Sequence, residues 1–135
     1  MSRIIAIDYG AKRTGIAISD PMKMIAQGLT TIPSAELIGF LKKYFSGEDV
    51  ELILVGLPKN LDNSPTDITG LVEQLVQQLK KEFPGKEVRT LDERFTSKMA
   101  SKAMIDMGLR KKQRQNKGLI DEIAATILLQ GYLQP

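Results

Sequence analysis

Residues 3–19 read RIIAIDYGAKRTGIAIS. Arg3 to Tyr9 is an apolar run too short for an ordinary helix, Thr14 to Ser19 is a second, and Gly10 and Gly15 bracket the turn between them. The pattern predicts a β-hairpin with a polar tip. Asp8 is the one acid of its first strand, and period-two alternation puts it on the same face as Ile4 and Ala6. A charge inside a buried strand is costly unless it is paired or bound to a metal. The other reading of Asp8 is an aspartate that only shapes the turn.

Outward from the hairpin, a third β-like stretch at about Ile25 to Ile32 is closed by Pro33 and Ser34. Leu37, Ile38, Leu41, Tyr44 and Phe45 then recur at helical spacing, and Gly47 falls where such a helix stops. Glu51 to Gly56 is a buried strand by its unbroken apolar centre. Ser64-Pro65-Thr66-Asp67 supplies a cap, a first-turn proline and an acid for a helix whose apolar face runs from Ile68 to Phe83. Pro84-Gly85 ends it before a strand at Glu87 to Leu91. Thr96 caps a further helix to about Met107, stopped by Gly108. Arg110 to Lys117 reads as a mobile loop, and Gly118 to Leu133 as a closing helix apolar nearly all round. Three antiparallel strands followed by β-α-β crossovers describe an α/β domain, a mixed five-stranded sheet flanked by helices.

The 135 residues suit one compact domain, residues 1–135, with any active site built inside it. There is no histidine and no cysteine, which removes disulfides, thiol nucleophiles, Ser-His-Asp triads and the usual zinc sites. Chemistry must run on carboxylates, hydroxyls, lysines or arginines. Carboxylates are hard ligands, so the expected cofactor is Mg2+ or Mn2+. No run of eighteen apolar residues and no export signal is present, which predicts a cytoplasmic protein with no membrane partner.

From Arg94 to Lys117 there are eight basic residues against the single acid Asp106, a net +7, which leaves −4 for the rest of a +3 chain. A basic block on an acidic body suits a polyanionic partner, because phosphate contacts release counterions. A solvated helix face and loop is the plain alternative.

Two further acids matter. Glu93 follows Leu91-Asp92 where the last strand leaves the sheet, at the carboxyl ends of the parallel strands, where open α/β sheets place ligands. A loop ion pair explains Asp-Glu-Arg equally well. Asp121 begins the closing helix with Ala124, Ala125 and Leu128 on its own side, although the helix dipole alone also favours an acid there. Taken together, a first-strand, a late-strand and a closing-helix carboxylate can converge at one point. Two divalent ions about 3.5–4 Å apart, so held, activate water and stabilise the leaving oxygen in phosphodiester cleavage.

The sequence resembles the YqgF-type family, described as Holliday junction resolvases and as nucleases for the 5′ end of pre-16S ribosomal RNA. The resemblance rests on Asp8-Tyr-Gly-Ala-Lys-Arg-Thr-Gly15-Ile-Ala-Ile-Ser-Asp20, Val55-Gly-Leu-Pro-Lys-Asn60, Asp92-Glu-Arg94 with Thr96, and Lys117 with Asp121-Glu-Ile-Ala-Ala125. These blocks occur in family order over nearly the whole chain. The resemblance implies a ribonuclease-H-like fold and metal ligands at Asp8, Glu93 and Asp121. Asn63 departs from the glycine usual there, and asparagine tolerates positive φ better than most residues.

Around this set, Gly10, Lys12, Arg13, Thr14 and Gly15 can bring amides and cations to a phosphate, or form a plain turn. Asn60, in the loop after a parallel strand, can touch backbone or sugar. Arg94, Arg110, Lys111, Lys112, Arg114 and Lys117 can clamp nucleic acid or be solvated. With no aromatic residue in the Arg110–Lys117 loop, backbone and shape should dominate recognition there. The expected function is metal-dependent cleavage of structured nucleic acid, with pre-16S RNA favoured over branched DNA by the resemblance. A junction resolvase would be a symmetric homodimer, whereas the RNA reading allows a monomer. A phosphotransferase would need a second lobe that 135 residues cannot supply; a catalytically idle RNA-binding assembly factor is the remaining alternative.

Overall fold

A computed structural model describes residues 2–57, 69–92 and 117–133. Five strands, β1 (Arg3–Tyr9), β2 (Arg13–Ser19), β3 (Ala26–Pro33), β4 (Val50–Leu57) and β5 (Glu87–Asp92), form one sheet in the order β3-β2-β1-β4-β5. β1 pairs antiparallel with β2, and β2 antiparallel with β3; β1 pairs parallel with β4, and β4 parallel with β5. This is the mixed sheet expected from the sequence. Its first strand is central, so the hairpin and the crossovers both build outward from β1.

Alternation along the strands explains the layers. Ile5, Ile7, Ile16, Ile18, Ile53 and Val55 face α1 (Leu37–Gly47) and α2 (Thr69–Glu82), which deliver Leu37, Leu41, Val72, Leu75, Val76 and Leu79 to a shared core. Ile4, Ala6, Ala17, Leu52 and Leu54 face the other way, onto Ala125, Leu128 and Leu129 of α3 (Lys117–Leu133). Each fully buried aliphatic side chain contributes about 1.5–3 kcal/mol. The second layer is built on alanines at 6, 17 and 125, all without exposure, which lets α3 lie close to the sheet.

Element bounds follow the expected signals with small shifts. A 3-10 turn at Ser34–Glu36 precedes α1, and α1 stops at Gly47 as its glycine suggests. α2 ends at Glu82, before Pro84-Gly85, and α3 begins at Lys117, one residue ahead of the expected Gly118. β3 carries an extra residue, Leu29, between the pairs Ile16–Thr30 and Ala17–Gly28, a bulge of the kind that discourages further pairing on an edge strand. The capped start expected at Ser64-Pro65, the helix from Thr96 to Met107 and the loop Arg110–Asn116 lie outside the described residues.

Candidate nucleic-acid cleavage site

Asp8 occupies the penultimate position of β1 and is half-buried. It pairs directly with Gly15 of β2, which pairs in turn with Thr31 of β3. Directly paired residues share a face, so the residue directly opposite Asp8 is a glycine, and Arg13, two residues from Gly15 along β2, lies on that same face. Ile4 and Ala6, on the same face of β1, pack under α3. The same end of the sheet holds the carboxyl ends of β4 and β5: Ile7 pairs with Val55, Val55 with Thr90, and Leu57 with Asp92, the last residue of β5. Glu93, next in the chain, lies outside the described residues, as do Asn60, Arg94, Arg110, Lys111, Lys112 and Arg114.

The course of α3 is fixed by two contacts. Glu122 lies over Gly28 of β3, and Gln130, eight residues later, accepts from the amide of Ala26 at 3.0 Å and donates to the carbonyl of Met24 at 3.5 Å. β3 runs from Ala26 through Gly28 toward Thr31, so α3 runs against it, with its N-terminal end toward the edge that carries Asp8. Asp121 and Lys117 belong to that N-terminal part of the helix; their side chains lie outside the described set.

The hairpin tip is closed on itself and on its neighbour. Gly10 donates its amide to the carbonyl of Arg13 at 2.9 Å, and a Cβ at residue 10 would stand 2.6 Å from that oxygen, so the turn admits only glycine there. Lys12 is exposed and Arg13 half-buried. Thr14 points the other way: it is wholly buried, its hydroxyl 2.7 Å from that of Ser34. Among the expected binding residues, then, Lys12 presents its side chain outward while Thr14 serves the scaffold beneath it. Ser34 gives no sequence signal beyond closing a strand after Pro33, because its partners stand twenty or more residues away.

Three acids near the motifs have other duties or other places. Asp20 accepts the amides of Met24 at 2.7 Å, Ile25 at 2.8 Å and Met22 at 3.2 Å, which makes it the clasp of the β2–β3 turn. Those bonds, from Ile25 foremost, hold its carboxyl below the usual range against an opposing desolvation. Glu122 is spent on the α3–β3 contact. Asp92 ends β5 beside Leu57. Among the described residues no three acidic side chains gather; of the expected ligands, Asp8 alone has a described side chain.

Comparison with known proteins bears on these features. The family model described as "RuvX: Holliday junction resolvase" matches residues 2–135. A protein of Flavobacterium psychrophilum is 57% identical over 133 residues, 98% of this chain and 97% of its own length. One of Bacteroides fragilis is 54% identical over 134 residues, 99% of this chain and 97% of its own. Both carry the name "Putative pre-16S rRNA nuclease". Among solved structures, the Fowlpox virus resolvase, in complex with its substrate Holliday junction DNA, superimposes with a TM-score of 0.63 at 13% identity, covering 98% of this chain and 97% of that one. At that identity the likeness is one of fold. Among the described residues no helix is long and apolar enough to cross a membrane.

Proposed function

Because this chain belongs to the family described as RuvX: Holliday junction resolvase, we propose that it is a divalent-metal-dependent nuclease, one catalytic domain over residues 1–135, cleaving structured RNA at the edge where Asp8 lies. The carrying observation is the pairing of Asp8 with Gly15, which stands a half-buried carboxylate at the carboxyl edge of the sheet opposite a glycine. The favoured substrate is the 5′ end of pre-16S ribosomal RNA, following the names of the relatives from Flavobacterium psychrophilum and Bacteroides fragilis. On that reading the protein works in the cytoplasm.

Asp8, Glu93 and Asp121 are the proposed ligands of Mg2+ or Mn2+, and the donor chemistry fits, since Asp8 offers hard oxygens in a chain that has no histidine or cysteine. Two regularities support the other two. Leu91 of β5 packs on the α3 side of the sheet, and period-two alternation continued to residue 93 would give Glu93 the face of Asp8, which supports it as a ligand. Asp121 stands four residues before Ala125 and seven before Leu128, on the helical stripe that meets the sheet. A bound metal supplies activation of water and neutralisation of charge on the phosphate. The chain's own residues hold and orient the substrate: Lys12 and Arg13 at the tip, Asn60 and Arg94 beside the strand ends, and Arg110, Lys111, Lys112, Arg114 and Lys117 along the backbone.

A second reading, cleavage of four-way DNA junctions, is favoured by the family's description and by the fold shared with a junction-bound resolvase. Paired cuts in a junction call for a two-fold dimer, whereas a single RNA cut is met by a monomer, so mass in solution bears on the choice. The test is cleavage of labelled pre-16S RNA and a synthetic four-way junction, with Mn2+ or EDTA, by the native protein and Asp8→Asn. Metal-dependent cutting that Asp8→Asn abolishes is the expected result, with RNA the better substrate. Equal behaviour of the two proteins on both substrates would leave a binding module in place of the nuclease.

A further inference from the structure

Ser34 reaches back across twenty residues to hold the hairpin tip by three hydrogen bonds. Its amide donates to the carbonyl of Lys12 at 3.0 Å, and its hydroxyl donates to the carbonyl of Gly10 at 2.6 Å. A hydroxyl has one proton, so at the third contact, 2.7 Å long, the Thr14 hydroxyl is the donor and Ser34 the acceptor. Ser34 is 8% exposed and Thr14 not at all, so water does not readily replace either partner. Residues 10 and 12 are thus fixed from outside the hairpin by one residue, Gly10 through the Ser34 hydroxyl and Lys12 through the Ser34 amide, while the Gly10–Arg13 bond closes the loop from within. Lys12, exposed at the apex, has its backbone held and its side chain outward.

We propose that Ser34 is a positioning residue for nucleic-acid binding: by clamping the carbonyls of Gly10 and Lys12 it holds the tip so that the Lys12 ammonium meets a phosphate of the strand whose cleavage involves Asp8. The inference rests on the nuclease reading for its substrate class and adds the device that aligns the tip. Pre-organisation of this kind raises affinity by lowering the ordering cost of the contact. A loosened tip leaves the lysine in place but removes its fixed contact, and the number of phosphates neutralised falls.

The experiment measures binding of a labelled RNA hairpin in EDTA over a series of KCl concentrations, for the native protein, Ser34→Ala, Ser34→Thr and Lys12→Gln. Each phosphate contact adds about 0.7–0.9 to the slope of log K against log salt. Lys12→Gln is expected to lower that slope by about one contact; Ser34→Ala, which loses the bonds to Gly10 and Thr14 and keeps the amide bond to Lys12, is expected to lower it by up to the same amount, and Ser34→Thr, which keeps the hydroxyl, to restore it. Thermal unfolding of each variant shows whether the fold is intact. A role in stability alone would lower the melting temperature of Ser34→Ala and leave the slope native, and that result overturns the inference. A native slope in Lys12→Gln overturns it too, by removing the tip from the nucleic acid. The nuclease reading is judged separately, by the cleavage lost in Asp8→Asn.

Discussion

Asp8 and Gly15 are direct partners across the β1–β2 ladder, so the acid at the end of β1 faces a residue with no side chain. A Cβ and its branches at residue 15 would enter the space beside the carboxylate, on the same face. Gly15→Val should therefore keep the sheet, since valine suits a strand, yet lower metal-dependent cleavage by about tenfold to a hundredfold. Far-ultraviolet circular dichroism alongside the cleavage assay checks both halves; unchanged cleavage would show that the space is not used.

Gly28 is the floor on which Glu122 rests. A Cβ at residue 28 would stand 2.8 Å from the Glu122 Cγ and 3.0 Å from its Cδ, closer than the side chain tolerates without moving. Gly28→Ala should cost about 1 kcal/mol in the native background, since the atoms in the way belong to a partly exposed side chain that can turn aside. In a Glu122→Ala background the cost should largely vanish, because the obstructing atoms are gone. A double-mutant cycle by urea unfolding measures the coupling directly.

Ala125 has no exposed surface and meets the sheet beside Ala6 and Ala17. Enlarging it must lift α3 or shift its side chains, so Ala125→Leu should cost about 1–3 kcal/mol. Because the same helix carries Asp121 four residues earlier, cleavage should fall further than the loss of folded protein explains. Activity per folded molecule, from an unfolding curve on the same sample, separates the two effects.

Asp20 ties the β2–β3 turn through amides that favour its ionised form, Ile25 foremost, and its carboxyl titrates below the unfolded value of about 3.9. A depressed folded-state value contributes stability above the unfolded one and loses it as pH falls through the folded one. The native protein should therefore melt above Asp20→Asn at pH 7, with the gap narrowing below about pH 4. Melting curves from pH 7 to pH 3 read this directly. A gap that stayed constant would mean that the charge of Asp20 adds nothing to its geometry.

Much of the fold is legible in residues close together in sequence. Period-two runs at Arg3–Tyr9 and Thr14–Ser19, with glycines between, dictate a hairpin, and Gly47 and Pro84-Gly85 mark the ends of α1 and α2 because helix termination is a local matter of backbone φ and missing amides. The same alternation put Asp8 on the face of Ile4 and Ala6, the face that α3 covers. For the acids at Glu93 and Asp121 the residue pattern and the family resemblance supply the proposal.

Other relationships depended on pairing at a distance. Nothing local says that β1 lies between β2 and β4, that Thr14 turns inward to Ser34, or that Glu122 settles on Gly28 rather than beside Asp8. Period and propensity assign a side chain to a face, but its neighbours come from the register of strands far apart in the chain and from how closely a helix can approach them. Sequence by itself determined the element types and the hard-oxygen chemistry open to the chain. Tertiary structure decided the pairing of Asp8 with Gly15 and the clamping of the tip by Ser34, because both are contacts between segments whose meeting no local preference encodes.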